Sequence, residues 1–230
     1  MRRAVDDVRG RPPTAVRSVG LGVALGAGFV VLTVLSLGPL QPIDVELNRP
    51  YQQWWPEWRG TVRLVVRLGQ RAVCLPVLLV VAAYAARRAR SWAPLLTTLV
   101  CVIWLNLVVG LTKLATDRDK PRTGDPDFFE EGIIYPSGHS ANAVLVYGLA
   151  AYLARRYVGR TAVLTRVLLV ATVLVSVAMV ACSLYLQTHW ITDLVAGLLV
   201  GGAVLASAVD PRGVIHRLTE VAHLSVGGRR

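Results

Sequence analysis

The sequence has few cysteines, the residues from which disulfide frameworks and many metal sites are built. It contains only three cysteines in 230 residues, and all three (Cys74, Cys101 and Cys182) lie in apolar stretches without the spacing of metal ligands. We interpret them as small lipid-embedded hydrophobes with no obvious pairing partner, which argues against a disulfide framework. The chain also lacks a linker, a low-complexity tract and an internal repeat. We therefore expect residues 1–230 to form a single domain with a core at 19–209 and flexible ends.

Polar stretches are also scarce, because 54% of the residues are hydrophobic and the mean hydropathy is +0.51. The apolar residues come in blocks, and a helix needs about 20 residues to cross a bilayer. The predicted spans are Val19–Leu40, Ala72–Ala86, Ala93–Thr112, Ala141–Ala154, Val167–Leu186 and Ile191–Val209. The first block has no clear cleavage site and is expected to be retained. These features predict an all-α fold, a polytopic membrane bundle of six helices.

Acidic residues are few, 14 against 25 lysines and arginines, so the net charge is +11. In a soluble protein this excess would suggest a nucleic-acid partner. If the N-terminus is cytoplasmic, however, the inner segments hold Arg2, Arg3, Arg9, Arg11, Arg17, Arg87, Arg88, Arg90, Arg155, Arg156, Arg160, Arg166, Arg212, Arg217, Arg229 and Arg230. This distribution is the positive-inside pattern. It predicts a multi-pass protein of the cell membrane with cytoplasmic termini, membrane lipids as neighbours and no nucleic-acid partner.

One pair of polar residues interrupts the apolar pattern, His189 and Asp193. Four residues make about one helical turn, so the carboxylate can accept a hydrogen bond from the imidazole Nδ1–H and leave Nε2 able to attack an electrophile. An acid just inside an apolar span is costly and indicates function. His139, taken alone, would be interpreted as an interfacial helix cap.

With six spans, the chemically suggestive groups meet on one side of the membrane, the outer side. They are Lys113, Arg118, Lys120, Arg122, the run Pro136-Ser137-Gly138-His139, His189 and Asp193. Basic side chains, helix N-terminal N–H groups and a Ser-Gly pair suit a tetrahedral anion. The simpler alternatives are a snorkelling anchor for Lys113 and an N-cap and turn for Ser137 and Gly138. Gly197 and Gly201 indicate helix packing inside the bundle.

Three short blocks of residues in this sequence resemble the three sequence motifs of the type 2 phosphatidic acid phosphatase (PAP2) family. Lys113 is followed after six residues by Lys120-Pro121, the Pro-Ser-Gly-His block begins at Pro136, and Cys182-Ser183 is followed after five residues by His189 and then by Asp193. The family has an arginine where this chain has Lys120, which keeps the charge, and another at Ser183, which does not. Arg118 and Arg122 flank Lys120 and are candidates to supply the missing charge.

The resemblance implies roles for these residues. His189 would attack phosphorus to form a phosphohistidine, Asp193 would hold its tautomer, and His139 would protonate the leaving oxygen and then activate water. The phosphoryl oxygens would be neutralised by Lys113, Lys120, Ser137 and the Gly138 N–H. Neither a metal nor another cofactor is implied.

The sequence thus predicts a lipid-phosphate phosphatase acting on an outer-leaflet substrate, which could be phosphatidic acid, phosphatidylglycerol phosphate or a polyprenyl diphosphate. The alternatives are a lipid-linked phosphotransferase, and a non-catalytic binder or transporter of lipid phosphates, which Ser183 makes plausible. The oligomeric state is not predicted.

Overall fold

The computed structural model describes residues 15–121, 126–129, 132–159 and 161–210, and all regular secondary structure in these ranges is helical. The predicted all-α class is confirmed. Arg122, Arg160 and the arginines of the two chain ends lie outside the described residues.

Five helices are long, and shorter helical segments connect them. The long helices are α1 (Ala15–Ser36), α5 (Arg71–Ala89), α6 (Ala93–Thr116), α9 (Ala162–Tyr185) and α10 (Ile191–Val209). The short α-helices are α2 (Gln41–Leu47), α3 (Tyr51–Trp54), α4 (Arg59–Val66), α7 (Gly138–Asn142) and α8 (Gly148–Leu153). Turns of 3₁₀ helix cover Pro56–Trp58 and Arg67–Gly69, and π-helical segments cover Ala143–Tyr147 and Ala154–Val158.

Four of these helices, α5, α6, α9 and α10, are long and apolar enough to cross a membrane. A fifth candidate is the pair α1 and α2, whose axes differ by 86° across a short break. The polytopic helical membrane fold agrees with the expectation, whereas the count of six spans stays a prediction.

The predicted span at 141–154 corresponds to several short segments that join into one helix. Ala143, Gly148 and Ala154, which stand at the junctions, all have right-handed helical backbone. Residues 138–158 therefore form a continuous helix with two π-helical stretches. At 1.5 Å per residue it is about 30 Å long, close to the thickness of the hydrocarbon core.

Helix α10 lies at the centre of the bundle. Within its most apolar window 56% of the residues are buried, against 22% for α5, α6 and α9. A Cβ added at Gly197 would lie 2.4 Å from the carbonyl oxygen of Ser137, and one at Gly201 would lie 2.5 Å from that of Ala141. These glycines let α10 pack directly on the backbone of α7, which confirms the interpretation of the Gly-x-x-x-Gly as a packing motif.

The ends of the helices bring the polar segments together. The Ser137 N–H donates to the Asp193 carbonyl at 2.9 Å, and the Trp190 indole Nε1–H donates to the Asp119 carbonyl at 2.9 Å. The loop after α6, the start of α7 and the start of α10 therefore meet at one end of the bundle. For the described residues this placement agrees with the predicted convergence, whereas the side of the membrane stays a prediction.

The side of the membrane on which this end lies can be tested by cysteine labelling. Asp127 is exposed at the polar end, and the space around Gly159, just beyond the far end of the 138–158 helix, is open. In a variant without native cysteines, Asp127→Cys is expected to react with an impermeant thiol reagent in intact cells and Gly159→Cys to react only after lysis. The opposite labelling pattern would contradict the positive-inside assignment.

Candidate functional site

The predicted contact between His189 and Asp193 is present. Nδ1 of His189 lies 3.4 Å from Oδ2 of Asp193, which also accepts a hydrogen bond from the Trp190 backbone N–H at 2.9 Å. The carboxylate is fully buried in the first turn of α10, where the helix dipole favours negative charge. Because the contact uses Nδ1, Nε2 of the imidazole remains the nitrogen for chemistry.

The second oxygen of Asp193 is held by a buried arginine. Nη1 of Arg118 lies 2.5 Å from Asp193 Oδ1 and donates to Thr192 Oγ1 at 2.7 Å. Nη2 lies 2.6 Å from Asp44 Oδ2, and Nε donates to the Pro126 carbonyl at 3.0 Å. All three guanidinium nitrogens thus bind protein groups, and Arg118 is fully buried. This differs from the expectation that Arg118 contacts the phosphoryl group, because its donors are already used behind Asp193.

Asp44, which the sequence analysis missed, completes this buried network. It lies on α2, which the 86° bend after α1 turns toward the start of α10. Its carboxylate accepts hydrogen bonds from the Thr192 backbone N–H at 3.0 Å and from the Thr192 hydroxyl at 2.7 Å. The signal was available, because an acid within an apolar segment is as costly at Asp44 as at Asp193.

The charges of the network do not balance. Two carboxylates, Asp44 and Asp193, surround the single guanidinium of Arg118. The guanidinium also lies 4.6 Å from the ring centroid of Phe128 and 5.7 Å from that of Trp190, and aromatic faces attract cations. The network therefore carries one net negative charge, and Asp193 is the member of it that contacts the imidazole of His189.

The Pro-Ser-Gly-His block is attached to the same helix. Ser137 is the N-cap of α7 and its hydroxyl accepts from the Ser140 N–H at 3.4 Å, so the structural role expected of an N-cap is present. Ser137 is fully buried, and its backbone N–H binds the carbonyl of Asp193. In contrast, a Cβ added at Gly138 would meet nothing within 4 Å. The backbone at Gly138 can therefore be approached closely by a ligand.

The turn before α5 supports His139. A Cβ added at Gly69 would lie 3.0 Å from the Cβ of His139 and 2.7 Å from the Met179 sulfur. The Asn142 side chain donates to the Gly69 carbonyl at 3.2 Å. These contacts fix the backbone of His139, whose side chain is half-buried.

The lysine at the end of α6 joins the two histidines. Nζ of Lys113 donates a hydrogen bond to the Ile133 carbonyl, and its charge interacts with that of Asp193. The imidazole of His139 interacts electrostatically with both His189 and Lys113. The structure therefore brings four of the predicted site residues into one cluster.

The remaining predicted residues differ in their placement. The Lys120 side chain is exposed beyond α6, and its backbone N–H donates to Asp119 Oδ1 at 2.7 Å. Ser183, at the position of the family arginine, is buried near the end of α9, and its carbonyl accepts from the Thr188 N–H at 3.1 Å. Arg122 lies outside the described residues.

A buried tyrosine connects the site to α1. The Tyr135 hydroxyl lies 2.8 Å from the Thr33 hydroxyl, and its ring packs edge-on against Phe128 at 5.3 Å. Burial raises the pKa of Tyr135 to about 12, so its hydroxyl stays protonated.

An apolar groove lies beside the end of α9. It has a volume of about 320 Å³ and is lined by Trp55, Trp58, Val62, Ala181, Cys182 and Tyr185. The Tyr185 hydroxyl donates to the Trp55 carbonyl at 2.5 Å, which ties α9 to the segment before α4. The groove is therefore lined mainly by aromatic and aliphatic side chains.

Comparisons with known proteins agree on one family. Residues 94–210 match the model of the PAP2 superfamily. The chain is 27% identical over 181 residues to phosphatidylglycerophosphatase B of Bacillus subtilis (strain 168), an alignment that covers 78% of this chain and 88% of that protein. The fold matches the crystal structure described as the first transmembrane PAP2 type phosphatidylglycerolphosphate phosphatase from Bacillus subtilis, with a TM-score of 0.69, 20% identity, and coverage of 91% of this chain and 98% of that chain.

The buried network can be tested through stability. Asp44→Asn removes the carboxylate that accepts from Arg118 and from Thr192, and weakening these buried charge-assisted hydrogen bonds is expected to lower the free energy of unfolding by about 3 kcal/mol. The matched control is Glu46→Gln on the same helix, whose exposed pair with Arg49 is expected to contribute less than about 1 kcal/mol. Equal unfolding midpoints of the two variants in detergent would contradict the assignment.

Proposed function

Because this chain belongs to the PAP2 superfamily, we propose that it is a membrane phosphatase that hydrolyses the phosphomonoester of a glycerophospholipid through a phosphohistidine. The observation that carries the proposal is the pair of His189 and Asp193 in one cluster with His139 and Lys113. A nucleophile with an orienting carboxylate, a second imidazole and a cation are the groups that phosphoryl transfer requires.

In the first step, Nε2 of His189 forms a bond to phosphorus while the bond from phosphorus to the lipid oxygen breaks. His139 in its protonated form gives its proton to the leaving oxygen, and the lipid departs as an alcohol. Asp193 keeps the proton of His189 on Nδ1 and stabilises the positive charge of the imidazole, as the carboxylate of a catalytic triad does.

In the second step, a water molecule attacks the phosphohistidine. His139, now neutral, takes a proton from that water, the bond between phosphorus and Nε2 breaks, and inorganic phosphate is released. The same imidazole thus serves as acid and then as base, and both histidines return to their starting states.

For the phosphoryl oxygens we take the binding groups that the family motifs imply. We assign this role to Lys113, Lys120, the Ser137 hydroxyl and the Gly138 N–H, and the open space at Gly138 supports the last of these. For Arg122 we also propose binding of a phosphoryl oxygen, as predicted from the sequence. We assign a different role to Arg118, which would position Asp193 without touching the substrate.

The choice of a lipid phosphomonoester follows the Bacillus relative, which is a phosphatidylglycerophosphatase. The groove next to Cys182 supports a substrate with a hydrocarbon chain. The positive-inside pattern supports an outer-leaflet substrate. A polyprenyl diphosphate has the same combination of chain and phosphate and is the competing substrate in a turnover assay.

The alternative of a non-catalytic lipid-phosphate binder is favoured by one observation, the neutral Ser183 at the position of the family arginine. Release of inorganic phosphate by the purified protein separates the two functions. A phosphotransferase would instead release inorganic phosphate only slowly. Its consumption of the lipid phosphate would become faster on addition of an alcohol acceptor.

The phosphohistidine can be tested with two variants assayed in the presence of EDTA, since we propose that no metal is required. His189→Ala removes the nucleophile and is expected to abolish phosphate release from phosphatidylglycerol phosphate. Asp193→Asn keeps the nucleophile but loses the orienting charge, so kcat is expected to fall about 10³- to 10⁴-fold. Near-normal rates in both variants, with unchanged unfolding midpoints, would refute the mechanism.

The double role of His139 can be tested with p-nitrophenyl phosphate, whose leaving group needs no proton. In His139→Ala the first step is expected to proceed while the second lacks its base. A burst of p-nitrophenolate stoichiometric with the enzyme should therefore precede a slow steady rate. The wild-type protein serves as the control, and a variant that turns over steadily at the wild-type rate would contradict the assignment.

A further inference from the structure

Within the part of the chain that the structure describes, no guanidinium has yet been assigned to the substrate. Ser183 stands where the family has an arginine, and it is buried and neutral. Arg118 uses its three nitrogens on Asp193, Asp44, Thr192 and the Pro126 carbonyl. Loss of one anion-binding donor from such a site typically lowers kcat about 10²- to 10³-fold. A working phosphatase would therefore need this charge from another element.

The turn Arg67–Gly69 packs against His139 and against α9, the helix that carries Ser183. Its last residue, Gly69, packs between the Cβ of His139 and the sulfur of Met179. Met179 lies on α9 four residues before Ser183, and residues at this spacing share one face of a helix. The turn therefore contacts both His139 and the face of α9 that carries Ser183.

Arg71 follows this turn and is the first residue of α5. Its side chain is exposed, and its charge acts on both His139 and Lys113. Across the part of the chain that the structure describes, no carboxylate forms a salt bridge with Arg71. Its guanidinium is thus an uncompensated cation close to two of the residues that face the proposed phosphoryl position.

We propose that Arg71 supplies, from the start of α5, the phosphoryl-binding guanidinium that the third block lacks at Ser183. This inference rests on the proposed function and names a substrate-binding residue that lies outside the three blocks. The planar fork of an arginine binds two phosphoryl oxygens at once, which neither Lys113 nor Lys120 can do. An arginine at both positions would place two like charges in one space, so Ser183 is compatible with Arg71.

The first test compares single variants with phosphatidylglycerol phosphate as substrate. Arg71→Ala is expected to lower kcat/KM about 10²- to 10³-fold, as for the loss of an anion-binding donor. Arg71→Lys should recover part of this loss, because it restores charge without the planar fork. The matched control is Arg67→Ala, also exposed and four residues earlier, which should leave turnover unchanged.

The second test is a rescue that a merely structural role of Arg71 would not show. Ser183→Arg in the Arg71→Ala background is expected to restore most of the lost activity. In the wild-type background the same substitution should be neutral or harmful because of the like charge of Arg71. This non-additivity is the signature of two residues that serve one contact. Failure of Ser183→Arg to restore activity, in a double variant that unfolds at the wild-type midpoint, would overturn the proposal.

A binding measurement separates this inference from the proposed function. Orthovanadate, a phosphate analogue, should raise the unfolding midpoint of the wild-type protein and of Arg67→Ala more than that of Arg71→Ala. If the wild-type protein binds orthovanadate through Arg71 but releases no phosphate from any lipid, the phosphatase function fails and the assignment of Arg71 stands. If Arg71→Ala matches Arg67→Ala in both turnover and orthovanadate binding, the assignment of Arg71 fails.

Discussion

The buried guanidinium of Arg118 joins three parts of the chain that are far apart in sequence. It binds Asp193 at the start of α10, Asp44 on α2 and the Pro126 carbonyl in the loop after α6. Each carboxylate would be costly to bury without the arginine, and the arginine would be costly to bury without a carboxylate. The bend between α1 and α2, the path of the loop and the start of α10 are therefore constrained together. His189 takes its orientation from the same Asp193, so the geometry of the proposed nucleophile depends on this ion network.

Close backbone packing provides the second constraint. Gly197 and Gly201 bring α10 against the 138–158 helix, and Gly69 brings the turn before α5 against His139. A side chain at any of these positions would overlap neighbouring atoms and move one histidine relative to the other. The site thus combines a charged network that orients His189 with small residues that fix the distance to His139. Phosphoryl transfer requires precise positioning of this kind, because its rate depends on the placement of the reacting groups and on electrostatic stabilisation.

If Arg71 acts as we propose, the site departs from its family pattern at Ser183 without losing a guanidinium. What binds a phosphoryl group is a guanidinium at the right place, and any element that reaches this place can carry it. The turn before α5 lies against the face of α9 that holds Ser183, so Arg71 is in a position to act there.

The sequence by itself determined the helical membrane class, the meeting of the three blocks at one end of the bundle and the contact of His189 with Asp193. These features follow from long apolar blocks and from a spacing of one helical turn, which are local properties of the chain. Only the tertiary structure decided that Arg118 is buried behind Asp193, that Asp44 shares it, and that Arg71 stands near His139 and Lys113. Residues 44, 71, 118 and 193 lie on four separate segments, and no periodicity relates them. Their placement depends on the bend after α1 and on glycine contacts between helices, which are set by the packing of the whole bundle.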